Sequence, residues 1–321
     1  MNVVRYTPEH EAAWNRLVAT SKNGTFLFDR RFMDYHSNRF CDCSLLFVKE
    51  GKVVGGLPAN FVEDEGTVYS HQGLTYGGLI LPVNATAVEV MGMMDAACDF
   101  YRNELGATRM VYRAVPYIYN RYPSEEPLYA LFRHEARLTA RGLSSAIPLD
   151  GALPFVRLRR RGVGKAEDWG VRLTASTDSS DILQFWSILR SGLVRRHGVE
   201  PVHSADEIKL LTDRFPHNIR LMLVRHADGE IVAGAWLFLC GPVVHVQYMA
   251  ANDEAREHGV NDWLTNTLLD LYARHDAHNP AYYEFGISTE QGGHVLNEGL
   301  IFQKEGFGAR GICYDTYEIA L

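Results

Sequence analysis

Apolar and polar positions in the second half of the chain predict strands and a helix in close succession. Residues 231–240 are nearly all apolar, and after a Gly-Pro turn residues 243–250 resume an extended pattern. The polar run 252–259 follows, and apolar residues then recur at helical spacing through 261–274. The short aromatic run 281–288 predicts a further strand. The predicted order is two strands, a polar loop, a helix and a strand.

The same order is predicted earlier in the chain. Residues 53–62 and 67–72 are apolar enough for strands, and the glycine-rich loop 73–78 separates them from a helix over 85–104 and a strand over 109–114. Gly66 to Gln72 corresponds to Gly241 to Gln247 at a constant offset of 175 positions. Two copies of one unit are therefore predicted.

The fold class that follows is α/β, with mixed β-sheets flanked by helices in two tandem domains. We place the domains at residues 1–150 and 151–321, with a linker over 150–154. The second domain is expected to begin with a basic helix over 155–169.

Composition and charge restrict the class of protein. The net charge of −7 and the isoelectric point near 6.0 argue against a protein that mainly grips nucleic acid. The odd number of cysteines, five in all, is typical of reduced thiols, and the N-terminal segment lacks a signal-peptide pattern, so we expect a cytoplasmic location. Residues 231–251 approach the length of a membrane span but are interrupted, so no membrane span is expected. The oligomeric state stays open.

The predicted helix start after the polar run could offer unpaired amides to an anion. Arg256, Gly259 and Asn261 stand there in the spacing Arg-x-x-Gly-x-Asn. This resembles the Gln/Arg-x-x-Gly-x-Gly/Ala pattern of the GNAT superfamily of N-acyltransferases, from which Asn261 departs. The tandem copies, together with the Lys-x-x-Phe-Gly type of ending at residues 304–308, resemble the Fem-type peptidoglycan aminoacyltransferases and the related BioF2-like acyltransferases.

The resemblance implies transfer of an acyl group to the amine of a sugar, an amino acid or a cell-envelope precursor. The donor would be acetyl-CoA or another acyl-CoA, which the acidic composition favours, or an aminoacyl-tRNA. The cations Arg157, Arg159, Arg160, Arg161 and Lys165 leave the tRNA donor open. No metal is expected. A non-catalytic protein that recognises a ligand is the remaining alternative.

Candidate catalytic residues come from the polar positions of apolar strands. Period-2 alternation places His245 and Gln247 on one face of their strand, where they could serve a site or bond within the fold. Glu284 stands in an aromatic strand, where burial is expected to raise its pKa and make it a base, although a salt bridge to an arginine is equally open. The acid of GNAT enzymes is usually a tyrosine shortly after this strand, and no tyrosine stands between Glu284 and Cys313, so His294 is an alternative acid.

Candidate binding residues fall into a donor group and an acceptor group. The resemblance assigns Tyr248, Arg256, Gly259 and Asn261 to the donor. The first copy has no cation in the place of Arg256, so its donor site is predicted to be degenerate. The acceptor group consists of His197, His203 and Lys304, for which a loop position and a surface lysine are the alternatives.

Overall fold

The computed structural model describes residues 1–274 and 279–321, without the side chain of His197. The chain divides into two compact units. Unit 1 contains Met1–Leu143, Thr289–Leu296 and Ile312–Leu321, and unit 2 contains Ser144–Ser288 and Asn297–Gly311. The chain therefore returns to unit 1 twice after leaving it at Leu143, seven residues before the predicted boundary at residue 150.

The helices and strands follow one another along the chain in a mixed order. The part up to Pro148 contains β1 (Asn2–Arg5), α1 (Glu11–Thr20), α2 (Arg30–Met33), β2 (Cys41–Asp42), β3 (Leu45–Lys49), β4 (Lys52–Leu57), β5 (Asn60–Val62), β6 (Thr67–Tyr69), α3 (Ala87–Leu105), β7 (Arg109–Arg113), α4 (Glu126–Arg133) and β8 (Arg137–Pro148). The remainder contains α5 (Arg157–Trp169), β9 (Arg172–Ser176), α6 (Ser179–His197), α7 (Ala205–Arg214), β10 (Ile219–Arg225), β11 (Ile231–Cys240), β12 (Val243–Ala251), α8 (Asp253–Glu257), α9 (Val260–Arg274), β13 (Tyr282–Ile287), β14 (Thr289–Glu290), β15 (Val295–Leu296), α10 (Glu298–Gly306) and β16 (Arg310–Ala320).

Unit 1 is built on a mixed sheet with the order β2-β5-β6-β7-β16 and a smaller sheet with the order β1-β3-β4. Helix α3 covers them with a row of apolar side chains, and Met93, Ala97 and Tyr101 are fully buried in its core cluster. Thr86 and Glu89 form a capping box at the start of α3, which explains why the helix begins there.

Unit 2 is built on a sheet with the order β8-β13-β12-β11-β10-β9. Strand β11 is buried along its whole length, as its continuous apolar run predicts. Leu264 and Leu268 of α9 and Ala166 of α5 complete the core on one face of this sheet. The predicted capping box at Ser204 is confirmed, since its hydroxyl accepts from the Glu207 amide at 3.1 Å at the start of α7.

The two units share one local topology. In unit 1, β5 and β6 are antiparallel and β6 and β7 are parallel, with α3 between them in the chain. In unit 2, β11 and β12 are antiparallel and β12 and β13 are parallel, with α9 between them. The predicted mixed α/β fold with two tandem copies is confirmed.

Some predicted elements differ from the structure. The run 252–259 is not a loop, because residues Asp253–Glu257 form helix α8, capped by the side chain of Asn252. Helix α9 starts at Val260, so Asn261 lies inside its first turn instead of capping it. The single strand predicted over 53–62 is divided into β4 and β5.

Candidate functional site

The strands β12 and β13 separate after a short parallel contact, and polar side chains meet at the point of separation. Their parallel pairing covers three positions and ends at His245 opposite Glu284. Beyond it β12 continues along β11 to Ala251, whereas Ile287 of β13 pairs with Ser144 of β8. The topology therefore brings two predicted catalytic residues, 39 positions apart, into direct contact.

Glu284 is fully buried, and three donors surround its carboxylate. The Nδ1 atom of His245 bonds to Oε2, while the hydroxyl of Ser144 and the amide of Gly286 donate to Oε1, the latter at 2.8 Å. A buried carboxylate is tolerated only when its oxygens are paired in this way. The three residues therefore hold Glu284 as an ion inside the sheet.

The charge state of Glu284 differs from the sequence expectation. Burial raises the pKa of this carboxyl, but the charge that His245 carries when it is protonated and the hydrogen bonds from His245, Ser144 and Gly286 outweigh burial and lower the pKa below its ordinary value. The expected raised pKa of Glu284 is therefore wrong, because its partner lies next to it in the parallel register. The salt bridge that the sequence left open exists with His245 and not with an arginine.

The ionised carboxylate determines the tautomer of the neutral His245 ring. A carboxylate without a proton only accepts hydrogen bonds, so Nδ1 must carry the proton that it shares with Glu284. The lone pair of the neutral ring is then on Nε2. A histidine in this state, backed by a carboxylate, is suited to accept a proton from a substrate.

Gly286 shapes the end of the site. The register between β13 and β8 shifts between Glu284 and Ile287, and Gly286 has a φ of +79° in this bulge. A left-handed φ favours glycine, and the bulge turns the Gly286 amide toward Glu284. Its carbonyl oxygen accepts a hydrogen bond from the Nζ of Lys304 at 2.7 Å.

Lys304 is buried, with 5% of its surface exposed, so the surface position left open by the sequence is wrong. Its ammonium donates to the carbonyl oxygens of Gly286 and Ile287 and to the hydroxyl of Ser288, at 2.7, 3.2 and 2.8 Å. Burial lowers the pKa of Lys304 to about 8, although the charge of Glu284 opposes the shift. Its three donors thus fasten helix α10 to the bulge, and its role toward an acceptor stays a prediction.

Gln247 lies in a second bulge, in β12. Val246 pairs with Leu237 and Tyr248 pairs with Trp236, so Gln247 is the extra residue on its strand. The bulge interrupts the period-2 alternation, and the side chain of Gln247 forms a hydrogen bond with Tyr248. The predicted common face of His245 and Gln247 stays a prediction.

Tyr248 and His203 form a second polar pair. The hydroxyl of Tyr248 lies 2.7 Å from Nδ1 of His203, and its ring meets that of Trp186 edge to face at 5.6 Å. Burial raises the pKa of Tyr248. The structure thus joins a residue predicted for the donor with a residue predicted for the acceptor.

The predicted phosphate loop has a different surrounding from the one expected. Arg256 is exposed on α8, and Asn261 is half-buried, with no hydrogen-bond partner for its Oδ1 among the described residues. Gly259 has a φ of +73°, and a Cβ on it would lie 2.5 Å from the carbonyl oxygen of Gly162 in α5. The close approach that this glycine allows is therefore used by a helix of the same chain.

Two further contacts fix α5 over the start of α9. The guanidinium of Arg159 donates to the carboxylate of Asp262 at 2.9 Å, and both side chains are largely buried. Burial raises the pKa of Asp262, while Arg159 opposes the shift. A Cβ on Gly162 would in turn lie 2.0 Å from Asp262, so both helices need glycine at their crossing.

The other predicted residues lie outside this cluster. His197 ends helix α6, and its side chain is outside the described residues. His294 is exposed in the turn between β14 and β15, which belong to unit 1. Sequence reasoning missed Ser144, Gly286 and Ser288; a glycine inside a predicted strand is the one available signal, because it often marks a bulge.

Neither a metal-binding group nor a membrane-spanning helix occurs in the described part of the chain. Within residues 1–274 and 279–321, no group of three or more His, Cys, Asp or Glu side chains could hold a metal ion. In the same part of the chain, no helix combines the length and the apolar character needed to cross a membrane.

Residues 156–291 match the family model described as an acetyltransferase (GNAT) domain. This range begins at the residue before α5 and includes His245 and Glu284. Among curated proteins, no sequence matches the chain.

Solved structures with the same fold cover the chain almost completely. The crystal structure of FemX is 14% identical and covers 100% of this chain and 98% of its own, with a TM-score of 0.72. L-PGS from Bacillus licheniformis is 12% identical and covers 98% of this chain and 92% of its own, with a TM-score of 0.62. A tandem GNAT protein from the clavulanic acid biosynthesis pathway is 13% identical, with shares of 99% and 98% and a TM-score of 0.53. The GNAT-type recognition is supported by the family match over residues 156–291, and the chain shares the fold of FemX and of the tandem GNAT protein.

Proposed function

We propose that this chain, whose residues 156–291 match the GNAT acetyltransferase domain and which has a GNAT-type acyltransferase fold throughout, transfers an acyl group to an amine. The observation that carries the proposal is the buried pair of His245 and Glu284 where β12 and β13 separate. Acyl transfer to an amine needs a group that removes the amine proton. We assign this role to His245, whose Nε2 is free of a proton when Glu284 holds the proton of the neutral ring on Nδ1.

In the proposed reaction the amine nitrogen attacks the acyl carbonyl, and its proton moves to Nε2 of His245. Glu284 stabilises the imidazolium through Nδ1, and the proton then passes to the departing oxygen or sulfur of the donor. The negative charge that develops on the carbonyl oxygen needs hydrogen-bond donors. The amide of Gln247 is our candidate, because a bulge residue is left out of the strand pairing.

For the donor we favour an aminoacyl-tRNA, which the Fem-type resemblance allows. Helix α5 fills the space beside Gly259 and pairs Arg159 with Asp262, which counts against a pyrophosphate held by the Arg256–Asn261 segment. The second candidate is an acyl-CoA, and the match to the GNAT acetyltransferase model favours it. In both cases the partners are a small-molecule amine and an activated acyl donor.

The acceptor and the location complete the proposal. We keep the amine of a sugar, an amino acid or a cell-envelope precursor as the acceptor class, with His203 and Tyr248 as candidate contacts because they meet close to the bulge at Gln247. The reaction is placed in the cytoplasm, where charged tRNA and acyl-CoA are both found.

The donor question is tested with purified full-length protein and two labelled donors. Aminoacyl-tRNA charged with a mixture of labelled amino acids, and labelled acetyl-CoA, are each incubated with glucosamine and a mixture of free amino acids. We expect product from aminoacyl-tRNA with the wild type and a much lower yield with His245→Asn. Product from acetyl-CoA alone would select the second candidate, and equal product with wild type and His245→Asn would refute the role of His245.

A further inference from the structure

The exposed side of α5 carries a dense group of cations. Arg157, Arg160, Arg161 and Lys165 are all exposed and stand at positions i, i+3, i+4 and i+8, which fall on one side of a helix. We call this surface the α5 cationic face. It extends for about 12 Å along the helix axis at 1.5 Å per residue.

The chain itself does not neutralise the α5 cationic face. None of its four side chains forms an ion pair or a side-chain hydrogen bond within the described residues. By contrast, Arg159, on the opposite side of α5, is bound to Asp262 and lies over the ring of Phe307 at 5.3 Å. The helix therefore uses one arginine for packing and presents the others to solvent, in a chain with a net charge of −7.

The charges are also arranged against the stability of the helix. Cations occupy the first turn of α5, and the acidic residues Glu167 and Asp168 occupy the last turn. The helix dipole favours the reverse order, with anions near the N-terminus and cations near the C-terminus. Because this order of charges does not stabilise α5, contact with a partner outside the chain explains the cations better.

Gly164 is an independent observation on the same surface. It lies between the cations in the helix interior, and a Cβ there would have no heavy atom within 4 Å. Glycine destabilises a helix interior relative to alanine, and here no contact within the described structure requires it. Gly162, two residues earlier, is needed for the crossing with α9, so the two glycines differ in this respect. Since no contact within the described structure requires Gly164, we attribute the glycine to a partner that approaches the helix backbone there.

We infer that the α5 cationic face binds the phosphate backbone of the RNA that carries the acyl donor, and this inference rests on the proposed function. Exposed cations on one helix face complement a regular series of phosphates. The missing side chain at Gly164 lets a sugar-phosphate backbone lie close along the helix. An anionic lipid surface is the competing partner and becomes an outcome of the test.

The experiment measures binding of the full-length protein to a fluorescent RNA hairpin with the sequence of a tRNA acceptor stem, across a series of salt concentrations. The test variant combines Arg157→Gln, Arg160→Gln, Arg161→Gln and Lys165→Gln. The matched control combines Lys52→Gln, Arg102→Gln, Arg133→Gln and Arg172→Gln, which are exposed cations outside α5 with the same total charge. Gly164→Ala is a third variant.

We expect the test variant to bind the hairpin roughly 10²–10³-fold more weakly at 0.1 M salt and to lose about one unit of salt slope per cation removed. The control should stay within roughly threefold of the wild type, since cations outside the α5 cationic face should act on the RNA only through the screened field. Gly164→Ala should raise the melting temperature while weakening RNA binding several-fold, a combination that a purely structural glycine would not give.

Two results would overturn the inference. Equal loss in the test and control variants would show that only net charge matters, and loss of binding to phosphatidylglycerol vesicles without loss of RNA binding would assign the surface to a membrane. Failure of the proposed function has a different signature. In that case the RNA binds through α5, but transfer from aminoacyl-tRNA does not depend on His245.

Discussion

The two units differ at the end of the parallel strand pair that both contain. In both, a parallel strand pair separates and leaves a gap at its end. In unit 1 the position that corresponds to His245 is Ser70, whose hydroxyl accepts from the amide of Arg113 at 2.8 Å. The glycine-rich loop then folds back, and the Gly77 amide donates to the carbonyl oxygen of Arg113 at 2.9 Å. In unit 1 the gap is therefore closed by main-chain groups of the glycine-rich loop.

Unit 2 leaves titratable side chains at the equivalent place. His245 and Glu284 meet there, and the amide of Gly286 is paired with a carboxylate instead of a neighbouring strand. The comparison shows that duplicated folds can divide their tasks at a few positions. It points to unit 2 as the unit that carries the chemistry, whereas the corresponding part of unit 1 serves stability.

The largest effect is expected on the transfer rate. His245→Asn should lower kcat by roughly 10²–10⁴-fold, the range for removal of a general base, without unfolding the protein. The matched change in unit 1, Ser70→Ala, should leave the rate within about twofold. Stopped assays of amine acylation at saturating donor measure both. A loss of the same size in Ser70→Ala would end the distinction between the units.

The next effect concerns the stability of unit 1. A Cβ on Gly77 would lie 1.6 Å from the carbonyl oxygen of Ser70, so Gly77→Ala must displace the closing loop. We expect it to lower the free energy of unfolding by about 3 kcal/mol, as overpacking does. Gly92→Ala, in helix α3, would bring the new methyl group only into an ordinary contact of 3.6 Å with Met1 and should be neutral or stabilising. Urea titrations compare the two, and a tolerated Gly77→Ala would mean that the loop does not close the gap tightly.

A smaller effect is expected from the charge of Glu284. Because its pKa is lower in the folded state than in the unfolded state, the carboxylate contributes stability above its ordinary pKa, and this is lost as the pH falls through the folded value. Glu284→Gln should cost about 1.5–3 kcal/mol at pH 7, the range for hydrogen bonds to a charged group. The difference between the two proteins should shrink as the pH falls below the ordinary pKa of 4.5, as measured by denaturation at pH 7, 4 and 3. A difference that stays constant with pH would show that Glu284 is not ionised.

The smallest effect involves Lys304, whose folded-state pKa of about 8 lies below the ordinary 10.5. Between these values the unfolded chain binds more protons, so this residue makes the protein more stable as the pH rises. Relative to Lys304→Met, the wild type should gain up to about 1.4 kcal/mol per pH unit above pH 8. Denaturation at pH 7.5 and 9.5 gives the comparison. If the stability of the wild type relative to Lys304→Met does not rise between these pH values, the ammonium is in contact with water.

Local patterns predicted the elements well because their causes are local. The capping box at Ser204 and the apolar run of β11 involve residues a few positions apart, and the structure has them as expected. The duplication also followed from the order of elements. The polar run 252–259 was interpreted wrongly because a helix of five residues is too short to show periodicity.

The site required information that a single sequence does not contain. His245 and Glu284 were each candidates, but their contact depends on the parallel register, and this contact reverses the expected shift in the pKa of Glu284. The bulge at Gln247 interrupts the pairing of β12 with β11, and no glycine or proline in the sequence marks its position. The packing of Gly259 on Gly162 joins residues 97 positions apart. Each of these depends on tertiary packing.

In the proposed function, Glu284 holds the neutral His245 with its proton on Nδ1 and its lone pair on Nε2, where it can accept the proton of an amine. Nitrogen-15 NMR of the histidine rings, with His245 assigned by comparison with His245→Asn, measures this directly above neutral pH. We expect a protonated, hydrogen-bonded Nδ1 and an unprotonated Nε2 in the wild type, and loss of this signature in Glu284→Gln. A neutral ring that carries its proton on Nε2 could not accept a second proton at that atom, and this result would contradict the proposed role of His245 as the base.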